Sequence, residues 1–257
     1  MDHQDDSQPN TPGKKGAFIP GGRLVSVEDT LTWISDAWNL FKRKPLEWVL
    51  FFLVCMVTNF LLQKILSFVG SLIVPFIMIL LTAGFIYACD RFRREGSFTF
   101  GDFFTAFTQH PRPLLMLCLF SLGFLILLLI IMVVFFSGAM FGGVGHLSSA
   151  STEMNFEIGM VFVGTLVMFV TSFIYIMAMW FAPALVMLHN IEPVEALKMS
   201  FFAWRNNILP GIVFFLVMGI LVFISAIPLG LGLLVTIPML NLCYYISYRS
   251  VFFDGNA

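Results

Sequence analysis

The sequence predicts an all-α integral membrane protein with six transmembrane helices and three cytoplasmic interfacial amphipathic helices. Three observations lead to this fold class: the composition, the spacing of long uncharged segments, and an apolar helical pattern that recurs before those segments. Of the 257 residues, 59% are hydrophobic and 11% are charged, whereas a typical soluble domain is about 25% charged. The composition therefore predicts a protein embedded in a lipid bilayer.

Charged residues divide the chain into long uncharged segments, and a spanning helix needs about 20 apolar residues. Gly70 and Ser71 predict a turn that makes the first two spans a hairpin, and the Pro- and Gly-containing stretch 225–232 predicts a break in the last segment. The Gly- and Ser-rich stretch 137–157 is too polar to span and is predicted to be an outer loop. The predicted spans are 46–67, 71–89, 113–136, 158–182, 208–225 and 230–248.

The N-terminal residues are polar, rich in Pro and Gly, and lack the apolar core of a cleavable signal peptide. We therefore predict a disordered cytoplasmic tail at residues 1–25, followed by one polytopic transmembrane domain at 26–253. Six spans place both termini on the same side of the membrane. Of the 14 Lys and Arg residues, all except Lys64 fall on that side, and the positive-inside rule then predicts that both termini are cytoplasmic.

An apolar helical pattern precedes the first predicted span. Its residues recur at steps of three and four, and they are Val27, Leu31, Ile34, Trp38 and Phe41. Ser26 and Asp29 resemble a capping box, and the basic residues 42–44 suit the C-terminal end of a helix. The helix is too polar to span, so we expect it to lie in the membrane interface.

Similar patterns precede the third and fifth spans. The second copy contains Phe100, Phe103, Phe104 and Phe107, and the third contains Val194, Leu197, Phe201 and Trp204. Thr99 and Asp102 predict a helix cap for the second copy, and Pro193 suits the first helical position of the third. The chain is therefore predicted to contain three units, each an interfacial helix followed by a pair of spans.

Two roles are open for the interfacial helices. Their aromatic and basic residues suit anchoring in the membrane interface, where basic side chains bind anionic inner-leaflet lipids. Alternatively, they form a cytoplasmic collar that docks a partner or lines a lateral entrance for a lipid-like substrate. The residues assigned to an anchor or partner surface are Trp38, Phe41, Arg43, Phe103, Phe104, Phe107, Phe201, Trp204 and Arg205.

The predicted spans carry little reactive chemistry. All four histidines lie in tails, loops or helix ends, and no acid or base lies at mid-membrane. The chain has no Walker, His-Glu-x-x-His or Gly-x-Ser-x-Gly motif, so we expect no cofactor, no metal and no catalytic residue. Asn59 and Asn241 are the most notable polar residues at depth. They are interpreted as helix–helix hydrogen-bonding groups, with a substrate contact as the alternative.

Three segments carry a resemblance to a known group of proteins: WISDAWNLFKRKPL before the first span, GFIYACDRFRREGSFTFGDFFTAF after the second, and FAPALVMLHNIEPVEALKMSFFAWRNN between the fourth and fifth. They resemble a broad group of uncharacterised bacterial six-helix inner-membrane proteins, loosely related to the membrane domain of some glycerophosphodiester phosphodiesterases. The resemblance covers roughly residues 25–253 and implies the fold and a location in the bacterial inner membrane. It implies no activity, and we expect no soluble phosphodiesterase domain among these residues.

The sequence therefore favours a non-catalytic membrane protein with a structural, regulatory or accessory role, acting through helix packing and its cytoplasmic face. Its expected partners are the phospholipid bilayer, including anionic inner-leaflet lipids, and a protein partner or larger membrane complex. The net charge of −1 argues against a nucleic-acid partner. A transporter or lipid-handling protein with a site among Pro- and Gly-broken helices is the alternative, and a membrane enzyme comes third.

Overall fold

The computed structural model describes residues 16–141 and 150–254. These residues are mainly helical and form no β-strand, apart from an isolated antiparallel bridge between Phe18 and Phe253. The all-α fold class is thus confirmed. The elements in chain order are α1 (Val27–Arg43), α2 (Pro45–Glu95), the 3₁₀ helix η1 (Phe100–Phe107), α3 (Pro111–Phe141), α4 (Ala150–Met179), α5 (Ala182–His189), α6 (Pro193–Asn206), α7 (Ile208–Ala226) and α8 (Leu233–Phe252).

Five helical segments among the described residues are long and apolar enough to cross a membrane. They are Pro45–Leu66, Ile73–Glu95, Pro111–Ser137, Ile158–His189 and Ile208–Ala226. They correspond to the first five predicted spans and define a multi-pass membrane protein. The sixth predicted span lies in α8, which does not meet the same criterion. Every residue of α8 from Leu242 to Phe252 is buried, so its Tyr, Ser and Arg side chains face protein.

The helix α2 is a hairpin, as the turn at Gly70 predicted. Its helical backbone is continuous, and a straight helix would separate Trp48 from Phe85 by about 55 Å. Their ring centroids instead lie 5.3 Å apart. The chain therefore reverses between a first arm, Pro45–Leu66, and a second arm, Ile73–Glu95. A Cβ atom at Gly70 would collide with a backbone carbonyl of the first arm, which explains the glycine at this reversal.

The three short helices α1, η1 and α6, which we call the collar, connect the predicted units in a ring. Each packs mainly on the spans of another unit: η1 on α2, α6 on α4 and α5, and α1 on α7 and α8. Each makes far fewer contacts with the span that directly follows it in the chain. Because the first unit packs on the third, the arrangement closes on itself.

Both ends of the described chain lie at one end of the helix bundle. The Ile19 N–H donates to the Phe252 carbonyl at 2.9 Å, and the Arg23 N–H donates to the Val251 carbonyl at 2.8 Å. These two carbonyls belong to the last turn of α8, where a helix has no intrahelical donors of its own. The ends of α5 and of the second arm of α2 also lie here. We call this region the basic end.

Residues 16–25, part of the predicted N-terminal tail, pack against the helix bundle. Besides its bonds to α8, this segment is held by Asn207, whose side-chain oxygen accepts from the Val25 N–H at 2.8 Å. The Asn207 amide also donates to the Arg23 carbonyl at 3.0 Å. The carbonyls at the end of α8 have no intrahelical donors, so they accept hydrogen bonds from this segment, which lies far away in the sequence. Residues 1–15 of the predicted tail lie outside the described residues.

Two helix boundaries differ from the predictions. Helix α3 continues to Phe141 and α4 begins at Ala150, so helical residues occupy both ends of the predicted outer loop 137–157. The part of the loop between them lies outside the described residues. The fourth span was predicted to end near Pro183, but the helix breaks just before this proline and resumes as α5.

Candidate functional site

The first collar helix, α1, begins as predicted with a capping box. The Ser26 N–H donates to the Asp29 carboxylate at 2.8 Å, and the Asp29 N–H donates to the Ser26 hydroxyl at 3.2 Å. The helix then buries one face against α7 and α8, formed by Thr30, Trp33, Ala37 and Phe41. The Trp33 ring meets the Phe214 ring of α7 edge-on, with centroids 5.7 Å apart.

A second, outward face of α1 carries most of the predicted apolar stripe. Leu31 is 59% exposed, Trp38 is 44% exposed, and Val27 is also exposed. Phe41 is buried and Ile34 packs against the core. The predicted stripe therefore follows the edge between two adjacent apolar faces, and it omitted Trp33. Arg43 lies at the end of the helix with its guanidinium over the Phe92 ring, at 4.8 Å from the centroid.

The second collar element, η1, is anchored by a fully buried Phe103. Its ring stacks on Phe51 with centroids 4.2 Å apart and lies 5.8 Å from the Trp48 ring. Gly84 allows this close approach, because a Cβ atom there would collide with the Phe103 carbonyl. Phe103 is therefore a core residue. Of the other predicted anchors in this element, Phe104 is half-buried and Phe107 is exposed.

An ion pair fixes the start of η1 to the second arm of α2. Arg91 donates to the Asp102 carboxylate at 2.7 Å and to Glu95 at 2.9 Å. The Thr99 N–H donates to the other Asp102 oxygen at 2.7 Å. Burial alone raises the pKa of the Asp102 carboxyl, but the hydrogen bonds from Thr99 and Arg91 outweigh it, so its pKa lies below the ordinary value.

The third collar helix, α6, buries Trp204 against α7. The Trp204 indole lies where a Cβ atom at Gly211 would collide with it, so the glycine makes room for the ring. Phe201 is half-buried, and Arg205 is exposed. Of the aromatic residues predicted as anchors, Phe41, Phe103 and Trp204 are thus core residues. Trp38 and Phe107 remain exposed.

The same helix supplies the hydroxyl group that closes the break between α4 and α5. Ser200 is fully buried. Its hydroxyl accepts a hydrogen bond from the Phe181 N–H at 2.9 Å and donates one to the Met177 carbonyl at 2.8 Å. An uninterrupted helix would join this N–H and this carbonyl directly. Pro183 has no N–H to donate to the Met179 carbonyl, so the helix breaks just before this proline.

An open apolar cleft of about 420 Å³ lies between α2, α4, α7 and α8. Trp180, Pro183 and Asn241 line it, together with Tyr244. The Tyr244 hydroxyl is buried and has no hydrogen-bond partner among the described residues. The Asn241 amide donates to the Ile237 carbonyl of its own helix at 3.0 Å.

The structure does not bring Asn59 to this cleft. Asn59 accepts a hydrogen bond from Gln63 on the first arm of α2. Both residues line a separate, open groove that also contains Lys64. The two asparagines singled out in the sequence therefore lie in different parts of the fold and do not form one site. Sequence reasoning missed Tyr244, because a tyrosine near a helix end is usually an interface anchor.

The described residues contain no group of three or more His, Cys, Asp or Glu side chains that could hold a metal ion. Their cysteines are Cys55, Cys89, Cys118 and Cys243, and all four are free thiols. The expectation that the protein holds no cofactor or metal remains a prediction.

The fold and these sites define the class of protein: a multi-pass helical membrane protein with a helical collar at one end and an apolar cleft among its spans. Comparison with family models, curated proteins and solved structures gives no match. The structure and the sequence alone therefore carry the functional proposal, and the resemblance to six-helix inner-membrane proteins stays an expectation.

Proposed function

We propose that the protein is a non-catalytic multi-pass protein of the bacterial inner membrane with a structural, regulatory or accessory role. It acts through the packing of its helices and through the collar. One observation carries the proposal: α1 holds the ring closed with one face and leaves an apolar face, with Leu31 and Trp38, outside the protein. An exposed apolar face of this kind marks a membrane or protein contact.

A sixth membrane crossing by α8 is part of this proposal. Helix α8 is 20 residues long, which corresponds to about 30 Å and to the thickness of a bilayer core. Near the far end of the bundle the Ser225 hydroxyl of α7 bonds to that of Thr236 in α8. The end of α8 returns to Ile19 and Arg23 at the basic end. Its polar residues are compatible with a crossing because neighbouring helices bury them.

The basic end is proposed to face the cytoplasm. Six crossings place both termini on one side, and Arg23, Arg43, Arg91 and Arg249 all lie at that end. Lys64 lies in the last turn of the first arm of α2, next to the reversal at Gly70 and away from the basic end. The positive-inside rule favours this orientation. The outward face of α1 then lies at the level of the inner-leaflet head groups, in reach of anionic lipids and of a protein partner.

Complementation of a gene deletion tests the role of the collar. Leu31→Ser and Trp38→Ser change the outward face of α1 and leave its buried face intact. Leu24→Ser is the matched control, because Leu24 is 74% exposed and lies outside the collar. At matched membrane abundance we expect the two α1 variants to lose complementation and the control to retain it. Full complementation by both α1 variants would contradict the proposal.

A lipid-handling or transport function is the second candidate, and the apolar cleft favours it. A buried hydroxyl without a partner carries a desolvation cost of about 1–3 kcal/mol unless a ligand satisfies it. Tyr244 has such a hydroxyl beside the break at Pro183. Tyr244→Phe removes only this group, so a collar-based function predicts a fully active variant. Loss of activity in Tyr244→Phe, with α1 variants active, favours the lipid-handling function.

A further inference from the structure

A polar cavity of about 200 Å³ lies at the basic end between α1, the second arm of α2 and α8. Asp36 is the one carboxylate among the described residues that line it, and Asn39 and Tyr245 add uncharged polar groups. Each of the three elements also contributes one arginine to the lining: Arg43, Arg93 and Arg249.

Arg249 is buried in this cavity without an ionic partner. The residue is only 6% exposed, and its Nε atom is buried with no hydrogen-bond partner among the described residues. No described carboxylate lies within ion-pair distance of it. Its guanidinium lies over the Phe253 ring, with Cζ 3.8 Å from the centroid. This contact covers one face of the guanidinium and leaves the Nε donor without a partner, and an unpaired buried charge is expensive.

Arg91, in the second arm of α2, lies at a similar position in its helix and has carboxylate partners. Each of the two arginines follows a tyrosine by one helical turn, Tyr87 in one case and Tyr245 in the other. Arg91 is held by Asp102 at 2.7 Å and by Glu95 at 2.9 Å. Arg249 has no such carboxylates, so the ion pair that completes the first site is missing from the second.

The nearby carboxylate of Asp90 is already engaged. It accepts from Arg94 at 2.8 Å and from the Tyr245 hydroxyl at 2.9 Å, and it lies 3.6 Å from Arg93. The three lining arginines, together with Arg94 beside them, therefore face two carboxylates, Asp36 and Asp90, and the local charge is positive. An anion is the group that would balance it.

We propose that this cavity binds a phosphate group, carried either by an anionic phospholipid head group or by a free phosphate compound. The planar guanidinium matches two phosphate oxygens at once, and arginine is favoured over lysine where such bidentate contacts form. Three arginines from three elements surround the anion, and Asn39 adds an amide donor. The volume accommodates a phosphate group, and the acyl chains of a lipid would lie outside it. The site uses Asp36, Asn39 and Arg43 of α1 and not its outward apolar face, so its test is separate from that of the collar.

The test uses the full-length protein and two variants that remove one arginine each, Arg249→Gln and Arg43→Gln. Arg43 is exposed, so its variant keeps the fold even where the loss of buried Arg249 does not. Arg205→Gln is the control, because Arg205 is exposed on α6 and lies outside the cavity. Asp36→Asn removes the opposing carboxylate and is expected to strengthen binding.

Two arms distinguish the sources of phosphate. In the lipid arm, the protein is placed in nanodiscs of mixed phosphatidylglycerol and phosphatidylcholine. It is then released from them, and native mass spectrometry measures which lipid stays bound. In the free-phosphate arm, delipidated protein in detergent is titrated with inorganic phosphate and its Tm is followed. A lipid site retains phosphatidylglycerol in the first arm, and a free-phosphate site raises the Tm in the second.

In the responding arm we expect each arginine variant to bind at least about tenfold more weakly than the wild type. The Arg205→Gln control should match the wild type, and Asp36→Asn should bind more tightly. Phosphatidylglycerol retention and Tm shifts that are equal in the wild type, Arg43→Gln and Asp36→Asn would overturn the proposal. A wild type that responds in neither arm would also overturn it.

Discussion

The Ser200 hydroxyl occupies the break in the fourth membrane-spanning segment, where it accepts a hydrogen bond from the Phe181 N–H at 2.9 Å. By also donating to Met177, it replaces the backbone bond that the break removes. A collar helix at one end of the bundle is thereby fastened to the interior of a membrane-spanning segment. The break between α4 and α5 is therefore held by a side chain of α6.

We expect Ser200→Ala to lower the free energy of unfolding by about 1–3 kcal/mol, because it leaves a buried N–H and a buried carbonyl without partners. Ser35→Ala is the control, since Ser35 is exposed and its hydroxyl only donates to the Thr32 carbonyl within α1. Thermal and denaturant unfolding in a single detergent measures the free energy of unfolding of both variants. Equal stability of the two variants would show that the break does not depend on Ser200.

Gly84 allows η1 to pack on the second arm of α2, so Gly84→Ala is expected to displace η1. The added methyl group would collide with the Phe103 carbonyl, which is backbone and has no rotamer to change. Overpacking of this kind costs about 1–3 kcal/mol. Gly123→Ala is the control, because nothing lies within 4 Å of a Cβ atom at Gly123, and there alanine is expected to be neutral or stabilising. A Gly84→Ala variant as stable as Gly123→Ala would exclude this packing.

The Asp102–Arg91 pair predicts a pH-dependent contribution to stability. Because the folded-state pKa of Asp102 lies below its unfolded value of about 3.9, the contribution is fully present above that pH. It is lost as the pH falls through the folded pKa. The Tm difference between the wild type and Asp102→Asn should therefore be largest near neutral pH and shrink in acid below about pH 4. Glu28→Gln, an exposed acid on α1, serves as the control. A Tm difference that does not vary with pH would contradict the assignment.

Much of the fold could be predicted from the sequence because its signals are local. The Ser26–Asp29 cap, the helix start at Pro193 and the reversal at Gly70 depend on residues a few positions apart. They occur in the structure as predicted. The stripe on α1 was predicted from apolar residues at steps of three and four along one face. This spacing could not show that Trp33, on the adjacent face, packs against α7.

The features that were missed depend on contacts between distant residues. Asn207 holds a segment 182 positions away at Val25, and no local pattern indicates that pairing. The Ser200 hydrogen bonds and the unpaired Arg249 arise in the same way. An isolated serine or arginine in a sequence does not reveal which backbone groups or charges will surround it. The order in which the collar helices close the ring also appears only in three dimensions.

The proposed function depends on α8 crossing the membrane, so that the collar and both ends of the described chain lie in the cytoplasm. Single cysteines at positions 229, 254 and 35 test this most directly, since Leu229, Asp254 and Ser35 are all exposed. They are placed in a variant without the native cysteines and labelled with a membrane-impermeant maleimide. We predict that position 229 is labelled in intact cells, and that positions 254 and 35 are labelled only after the inner membrane is permeabilised. Labelling of positions 229 and 254 from the same side would contradict the six-crossing arrangement and the placement of the collar.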